Sequence, residues 1–466
     1  MLYSGLNYKV KIGLVPIRRD VTPRPGIFNW EKAEERGLAS VKYIIDNFTT
    51  ENVSFVDLKG VNDVEVMYCE NDVDKAVEKF KAEKVDAVVI INSNFGNEEA
   101  AGRFAKEMGT PVLLWGPLDD VFEADGMRYT DTQCGLFGAS RQFQRLGVKF
   151  SYIENCRITD EAFAEGLKKF IAVACMVKNF RGMRIAQVGC RPKPFCSVMI
   201  NEHELLAKFG VQVVPVNMAT VIDKFNRVMR ENVDEIKKGA DLIRSQYEMD
   251  DIGENDAEKM YALVLVYKEI FEETKVQAIT TECWTSMPLG VGVVPCTAMS
   301  LLADMGYIVA CESDVFGAIA MSMLACATLG SKVPFFGEFT VRHPENKNAE
   351  LLWHCGPFAY SLKAEDSVAK SVNQRPWFRV RDGKFTVCRM DQDNGKYTFL
   401  NGTCASTDGP YTFGTYLWAQ FDDLNKWERK LVEGPYIHHM AEIEGDYTEH
   451  IREFCKYAGD IIPDNL

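Results

Sequence analysis

Apolar residues fall in short runs along this chain, separated by polar stretches of helical period. Val10 to Pro16, Ser54 to Asp57, Val85 to Asn92 and Pro111 to Trp115 read as strands. Trp30 to Asn47, Asp72 to Glu83 and Glu98 to Met108 read as helices between them, the last ending on Gly109 as a C-cap residue. Strands of this kind, apolar on both faces and alternating with helices, imply right-handed βαβ units and a mostly parallel sheet. A long helical pattern from Asp160 to Asn179 follows, and then the rhythm restarts. Met183 to Val188 is a strand, Ser197 to Phe209 a helix and Val211 to Val216 a strand. Two acidic, helix-rich stretches, Thr220 to Glu248 and Asp256 to Thr274, lead to strands Val276 to Thr280 and Tyr307 to Cys311, with a helix near Thr297 to Met305 between them.

Past Phe335 the texture changes. Phe339 to Val341, Ala349 to Trp353, Phe378 to Arg381, Lys384 to Arg389 and Lys396 to Gly402 are short and separated by turns, as in a small β-barrel or sandwich. An amphipathic helix is expected over Tyr447 to Ala458. The pattern predicts an α/β chain with two Rossmann-like parallel-sheet domains, residues 1–175 and 176–335. A small C-terminal β-barrel domain with a terminal helix follows, residues 336–466.

Composition narrows the function. The 466 residues are 47% apolar and 26% charged, enough for a substantial core. A net charge of −14 argues against a nucleic-acid partner, which needs a cationic face. It leaves room for a small anion, because a few arginines can reverse the field inside a pocket. Several of the 14 cysteines, such as Cys175, Cys311 and Cys326, lie inside apolar runs, and no CxxC pair occurs. With no apolar signal-peptide segment in Met1 to Lys11 and no apolar run of membrane-spanning length, a reduced, cytoplasmic protein is expected.

Candidate chemistry collects where strands end, which is where open α/β sheets bind ligands. The run to Cys311 ends on Glu312-Ser313-Asp314, and the run to Thr280 ends on Thr281-Glu282-Cys283-Trp284. In strand geometry Glu312 and Asp314 would share a face. Alternatively Glu312 caps the helix that starts near Val315. Glu282 is a buried acid that needs a metal or an ion-pair partner. Arg18 and Arg19 sit where the first strand ends and suit an anion or a polyol, or else a surface pair with Asp20 or Glu31. Arg191 and Lys193 occupy a second such loop. Of six histidines, the pair His438-His439 after Gly434-Pro435-Tyr436 is placed to complete a metal site, and His354 at a strand end is placed to reach the same crevice, although a lone histidine is more often structural. In a strand only one of the pair can face it.

Several classes lack their motifs. There is no GxGxxG after a strand and no GxxxxGK[ST] loop, so NAD and ATP are not expected. G-x-S-x-G and HExxH are absent too.

At Val15-Pro16-Ile17-Arg18-Arg19-Asp20, Cys283-Trp284, Pro295-Cys296, Cys311 to Ala318, Trp353-His354-Cys355-Gly356 and His438-His439, the chain resembles the L-fucose isomerase-like family, related in fold to L-arabinose isomerases. The resemblance runs in order over nearly the whole chain. It implies an aldose–ketose isomerase working through a cis-enediol, with a divalent metal, usually manganese, held by two carboxylates and a histidine. Asp314 falls on the family's aspartate ligand, and His439, or else His438, on its histidine. The family's first carboxylate has no counterpart at Val294-Pro295-Cys296-Thr297, and Glu282 is taken as its substitute. Asp314 and Glu282 are then the proton-transfer candidates. Arg18, Arg19, Trp115, Trp284, His354 and His438 are expected at the substrate. The resemblance further implies a homo-oligomer (a dimer, trimer or hexamer) with shared active sites, to which Arg18, Arg19 and Trp115 come from a neighbour. Some relatives isomerise sulfoquinovose, whose sulfonate suits arginine. A neutral sugar of fucose or arabinose type is the other branch. A non-catalytic sugar-binding protein and an epimerase are the competing functions.

Overall fold

The structure is a computed structural model, and it describes residues 5–21, 29–119, 122, 126, 128–250, 253 and 255–466. The chain divides into two compact units, one of residues 8–178 and one of residues 1–7 with 179–466.

The first unit is built on β1 (Val10–Ile17), β2 (Val53–Val56), β3 (Ala87–Asn92), β4 (Val112–Trp115) and β5 (Ser151–Tyr152). They form one parallel sheet in the order β2-β1-β3-β4-β5. Every residue of β3 and β4 is buried. That is why these strands read as continuous apolar runs without alternation. Phe80 and Phe104, from the helices Glu70–Ala82 and Glu98–Met108, pack edge to face in the core beside Val15, Ile90 and Leu114. Gly109 ends the second of these helices in the left-handed conformation, φ 65°.

The second unit repeats the plan and adds a barrel. β6 (Arg184–Val188) and β7 (Gln212–Val216) start a second parallel sheet, while the short β8 (Glu248–Asp250) joins the barrel's flank. β9 (Ala278–Thr281) and β10 (Val309–Cys311) complete the sheet, in the order β10-β9-β6-β7. Both sheets thus reverse strand order beside their first strand, between β1 and β3 and between β6 and β9. A crevice for ligands opens beyond the carboxyl ends at such a reversal.

The barrel is formed by β11 (Phe335–Arg342) and β12 (Ala349–His354), then, beyond β13 (Lys370–Val372) and β14 (Arg375–Arg379), by β15 (Lys384–Asp393), β16 (Lys396–Ser406), β17 (Thr415–Gln420) and β18 (His439–Glu444). The six strands close in the order β16-β15-β18-β11-β12-β17, with Ala405 and Ser406 of β16 paired back to Gln420 and Ala419 of β17. β13 and β14 extend the sheet beside β17, and β19 (Ile461–Asn465) runs parallel to β16 after the helix Thr448–Tyr457. The expected two parallel-sheet α/β folds and the C-terminal barrel are all present.

The helix Val315–Ala327 joins sheet and barrel. All 13 of its residues are buried, and it touches β9 and β10 on one side and β15 and β18 on the other. Its sequence is apolar all round, as a helix enclosed on every face must be. Gly317 lets its first turn close on β11, since a Cβ there would stand 2.3 Å from the Phe336 ring. Among the described residues, no helix is long and apolar enough to cross a membrane.

Candidate active site

The site lies in the second unit, where β10 meets this helix. β10 stops at Cys311, and Glu312 and Ser313 both take left-handed backbone angles, φ 59° and 58°. Two successive non-glycine residues in this region are strained and mark a tight turn. The turn separates the two acids that strand geometry would have put on one face. Asp314 becomes the helix N-cap, its Oδ1 accepting from Gly317 N at 2.8 Å. Glu312 swings to the other side, where its Oε1 accepts from Trp284 Nε1 at 2.6 Å. The cap that the sequence offers to Glu312 is therefore taken by Asp314.

His439, at the start of β18, stands between the two acids. Its Nδ1 is 2.9 Å from Asp314 Oδ2 and its Nε2 is 2.9 Å from Glu312 Oε2. The His439 ring is wholly buried and stacks on Phe195 from the loop after β6, with centroids 5.3 Å apart. Behind Asp314, Arg389 of β15 donates to Asp314 Oδ2 at 2.8 Å and to Asp391 Oδ2 at 2.7 Å. Arg389 is only 1% exposed, so these two acids are its means of staying charged inside the protein. Burial pushes the Asp314 carboxyl up, but Arg389 and then His439 outweigh it and hold the group well below the usual carboxylate range.

Glu282, at the end of β9, is fully occupied elsewhere. Its carboxylate accepts from Thr285 N and Oγ1, Ser286 N and Oγ, and Met287 N, at 2.5 to 3.1 Å. It caps the short helix Ser286–Val291 from three residues before the N-cap residue, Thr285. Among the described residues, neither a lysine nor an arginine pairs with it. Against the upward push of burial, the hydrogen bonds from Ser286 and Thr285 keep it below its ordinary value.

A cavity of about 470 Å³ opens beside Glu312, a size suited to a small ligand. Glu338 of β11, His354 of β12, His438, Trp284, Trp353 and Arg375 line it with Glu312. Burial pushes the Glu338 carboxyl up. Glu312 is also buried, but His439, 2.9 Å away, and His354 bring it down. Two facing carboxyls are thus set apart in acidity, one inclined to hold a proton and one to give it up. Burial, and then His439, push His438 down to about 4, which keeps the ring neutral.

The donor atoms suit a cation. One ligand atom each from Glu312, Glu338 and His354 lies within 4.8 Å of the others, and the same holds for Glu338, His438 and His439. Oxygen and imidazole donors suit a hard or borderline divalent metal. Glu312 Oε2, His354 Nε2 and His439 Nε2 are buried with no hydrogen bond of acceptable geometry, although the Glu312 and His439 atoms are close. The Glu312 and His439 atoms, 2.9 Å apart, are a fitting pair of donors for a cation. His439 fits best, because a carboxylate on Nδ1 frees the Nε2 lone pair for a metal. Cys355 N donates to His354 Nδ1 at 2.9 Å, which leaves the ring proton on Nε2, 3.5 Å from Glu338 Oε1. His354 is therefore set to offer a proton, not a lone pair.

Three of the expected site residues, Arg18, Arg19 and Trp115, belong to the first unit, and each is described within it. Arg18 and Arg19 belong to the first unit, at the end of β1. Arg18 is sandwiched between the rings of Trp30 and Tyr68, at 4.3 and 3.9 Å, and pairs with Glu34 at 2.7 Å. Arg19 lies 4.2 Å over Phe95 and donates to Gly96 O. Trp115 is 0% exposed and packs on Phe163, so it is a core residue of its unit and presents no surface to a sugar. Trp284 is 47% exposed at the cavity rim. Reasoning from the sequence did not single out Glu338, Arg375, Arg389 or Phe195. Glu338 had a signal, as the lone acid in Phe335-Phe336-Gly337-Glu338-Phe339.

Residues 13–181 match the family described as fucose/sulfoquinovose isomerase, N-terminal domain. A sulfoquinovose isomerase from Priestia aryabhattai is 23% identical over 391 residues, covering 81% of this chain and 85% of that protein. One from Alkalicoccus urumqiensis is 23% identical over 415 residues, covering 87% and 91%. A third, from Clostridium sp. (strain MSTE9), is 26% identical over 284 residues, covering 61% and 62%. The chain is thus similar to a fucose/sulfoquinovose isomerase N-terminal domain over residues 13–181 and to sulfoquinovose isomerases along most of its length.

Proposed function

We propose that this protein isomerises an aldohexose to its ketose through a cis-enediol, and that the substrate is sulfoquinovose. An aldose–ketose isomerase is what its sulfoquinovose isomerase relatives imply. The observation that carries the mechanism is the Glu312–Glu338 pair, two cavity-facing carboxyls of opposed acidity whose donor atoms lie within 4.8 Å. Glu312, the more acidic, takes the proton from C2. Glu338, inclined to stay protonated, returns one at C1. His354 Nε2, an unpartnered buried donor in the cavity wall, binds a sugar oxygen.

Glu312 and His439, with His438 beside them, would hold a divalent cation, for which manganese is the family's usual choice. When bound, that cation supplies positive charge against the oxyanion developing on the sugar. Asp314 keeps the His439 ring in the tautomer that leaves Nε2 open. In this assignment Asp314 orients, and Glu282 holds a helix end.

Arg375 supports the sulfonated substrate. It is the arginine in the cavity wall, and it makes no ion pair among the described residues, its recorded bond being Nη1 to Asn373 O at 3.2 Å. A sulfonate is a fitting partner for it. The proposal includes cytoplasmic residence and a homo-oligomer in which a neighbouring subunit completes the site.

The test is turnover of sulfoquinovose, fucose and arabinose in D2O, followed by NMR, before and after EDTA and with Mn²⁺ returned. Ketose carrying solvent deuterium, made from sulfoquinovose and lost with EDTA, is the expected result. Sugar binding without turnover under every metal condition would sink the proposal, and an epimeric aldose as sole product would redirect it.

A further inference from the structure

Four cysteines from four separate segments meet at one wall of this cavity. Cys283 follows β9, Cys311 ends β10, Cys296 opens the helix Cys296–Asp304 and Cys355 follows β12. All are free thiols. The shortest approaches are Cys283 with Cys311 at 3.2 Å and Cys296 with Cys355 at 3.6 Å between sulfurs, and the Cys355 sulfur also lies within 4.8 Å of that of Cys311. None of them has a part in the proton transfer proposed above.

The pairs differ in access. Cys283, Cys296 and Cys355 line the cavity, whereas Cys311 is wholly buried and does not face it, so only the second pair has both members in the wall. A solute small enough to reach Glu312 therefore meets the wall that the second pair helps to form. A disulfide needs its sulfurs at about 2.05 Å and its Cβ atoms about 3.8 Å apart. The two thiols are already in contact, and Cys355 lies in the loop beyond the end of β12, outside the barrel ladder. Cys355 also lies against the site, its Sγ 3.3 Å from His354 Nδ1. Drawing that sulfur toward Cys296 alters the contact that sets the His354 ring.

We propose that Cys296 and Cys355 form a reversible disulfide when the cavity admits a peroxide, and that this bond switches the sugar site off. In the first step the Cys355 sulfur attacks one peroxide oxygen. The O–O bond breaks, Cys355 becomes a sulfenic acid, and one water leaves. In the second step the Cys296 sulfur attacks the Cys355 sulfur, the S–O bond breaks, and the hydroxyl leaves as a second water with the thiol proton. The thiols lose two electrons and the peroxide gains them. A dithiol reductant reverses the bond by exchange.

The full-length protein is treated with hydrogen peroxide, alkylated, and mapped by non-reducing peptide mass spectrometry. The expected product is a Cys296–Cys355 linked peptide that dithiothreitol cleaves. Turnover falls by about tenfold or more, the scale of losing a residue that supports an active-site ring, and returns with the reductant. Cys296→Ser, compared with its own untreated activity, loses the reversible fall. A dominant Cys283–Cys311 link, oxidation with no link, or a link that leaves turnover unchanged overturns the proposal. The linked peptide is read without substrate, so a wrong substrate assignment and a wrong disulfide assignment give different results.

Discussion

Asp314 Oδ2 lies 2.9 Å from His439 Nδ1 and 2.8 Å from Arg389 Nη1. One carboxylate oxygen thus serves a histidine at the cavity and a cation buried behind it. Asp314→Ala leaves Arg389 buried with Asp391 alone and removes the cap of the helix Val315–Ala327. Removing one partner of a buried pair costs about 3–5 kcal/mol, and losing a cap adds about 1 kcal/mol. A large drop in thermal stability is expected. Asp314→Asn, which can still cap, separates the roles, because it leaves the fold in place but no longer fixes the His439 tautomer. Metal affinity, measured by calorimetry on the apo protein, should fall about 10- to 100-fold. An Asn variant that binds metal like wild type would remove Asp314 from the site's support.

Glu312→Gln and Glu338→Gln test the paired carboxyls. Each substitution is nearly isosteric and keeps hydrogen-bonding capacity, so folding should survive. Each should lower kcat by about 10²- to 10⁴-fold, the range of a lost general acid or base. Solvent-deuterium exchange at C2 distinguishes the two. It should vanish in Glu312→Gln, where no base takes the proton, and outlast ketose formation in Glu338→Gln. Wild-type exchange in Glu312→Gln would move the base to another residue.

Much of this arrangement was legible in the chain, and what was hidden has physical causes. Apolar runs at Val85–Asn92 and Met183–Val188 announce parallel strands because both faces are covered. The acids after Cys311 announce a strand end. Which of them faces the cavity depends on left-handed backbone at Glu312 and Ser313. Such a turn is normally signalled by glycine or asparagine, so residues without that preference gave no warning. Glu338 was obscured in another way. On an ordinary half-exposed strand, an acid between aromatic residues reads as the solvent face, and only closure of β11 into a barrel beside β18 turns it toward the histidines. Arg389 and Asp391 share a face of β15 by their spacing, yet nothing local says that this face meets the cap of a helix 75 residues earlier.

Arg375 sets the choice of sugar if its charge meets a sulfonate. Arg375→Met keeps the side chain's length and removes the charge. Losing a hydrogen bond to a charged group costs about 1.5–3 kcal/mol, or about 10- to 100-fold in kcat/KM at 1.4 kcal/mol per decade. For sulfoquinovose that loss should appear mainly in KM, because the anion is held equally in the ground and transition states. Neutral aldoses should be affected little. Equal losses on charged and neutral sugars would mean that Arg375 shapes the cavity without reading the anion.

Glu350 gives a test of stability that is independent of the sugar. It lies on β12 opposite Arg342 of β11 and is 7% exposed. Burial pushes its carboxyl up to about 7, against the smaller opposing pull of Arg342. An unfolded glutamate titrates near its ordinary 4.5. Between these two values the folded state binds the proton more tightly than the unfolded state does. Its contribution is therefore complete below the lower value, declines as pH rises between the two, and is gone above the upper one. Glu350→Gln cannot ionise and escapes that decline. The variant's Tm, relative to wild type, should therefore be higher at pH 8 than at pH 5. Other titrating groups are common to both proteins and cancel in the difference. A Tm difference that stays constant between the two pH values would show that Glu350 is ionised in the folded barrel and that Arg342 outweighs the cost of burying it.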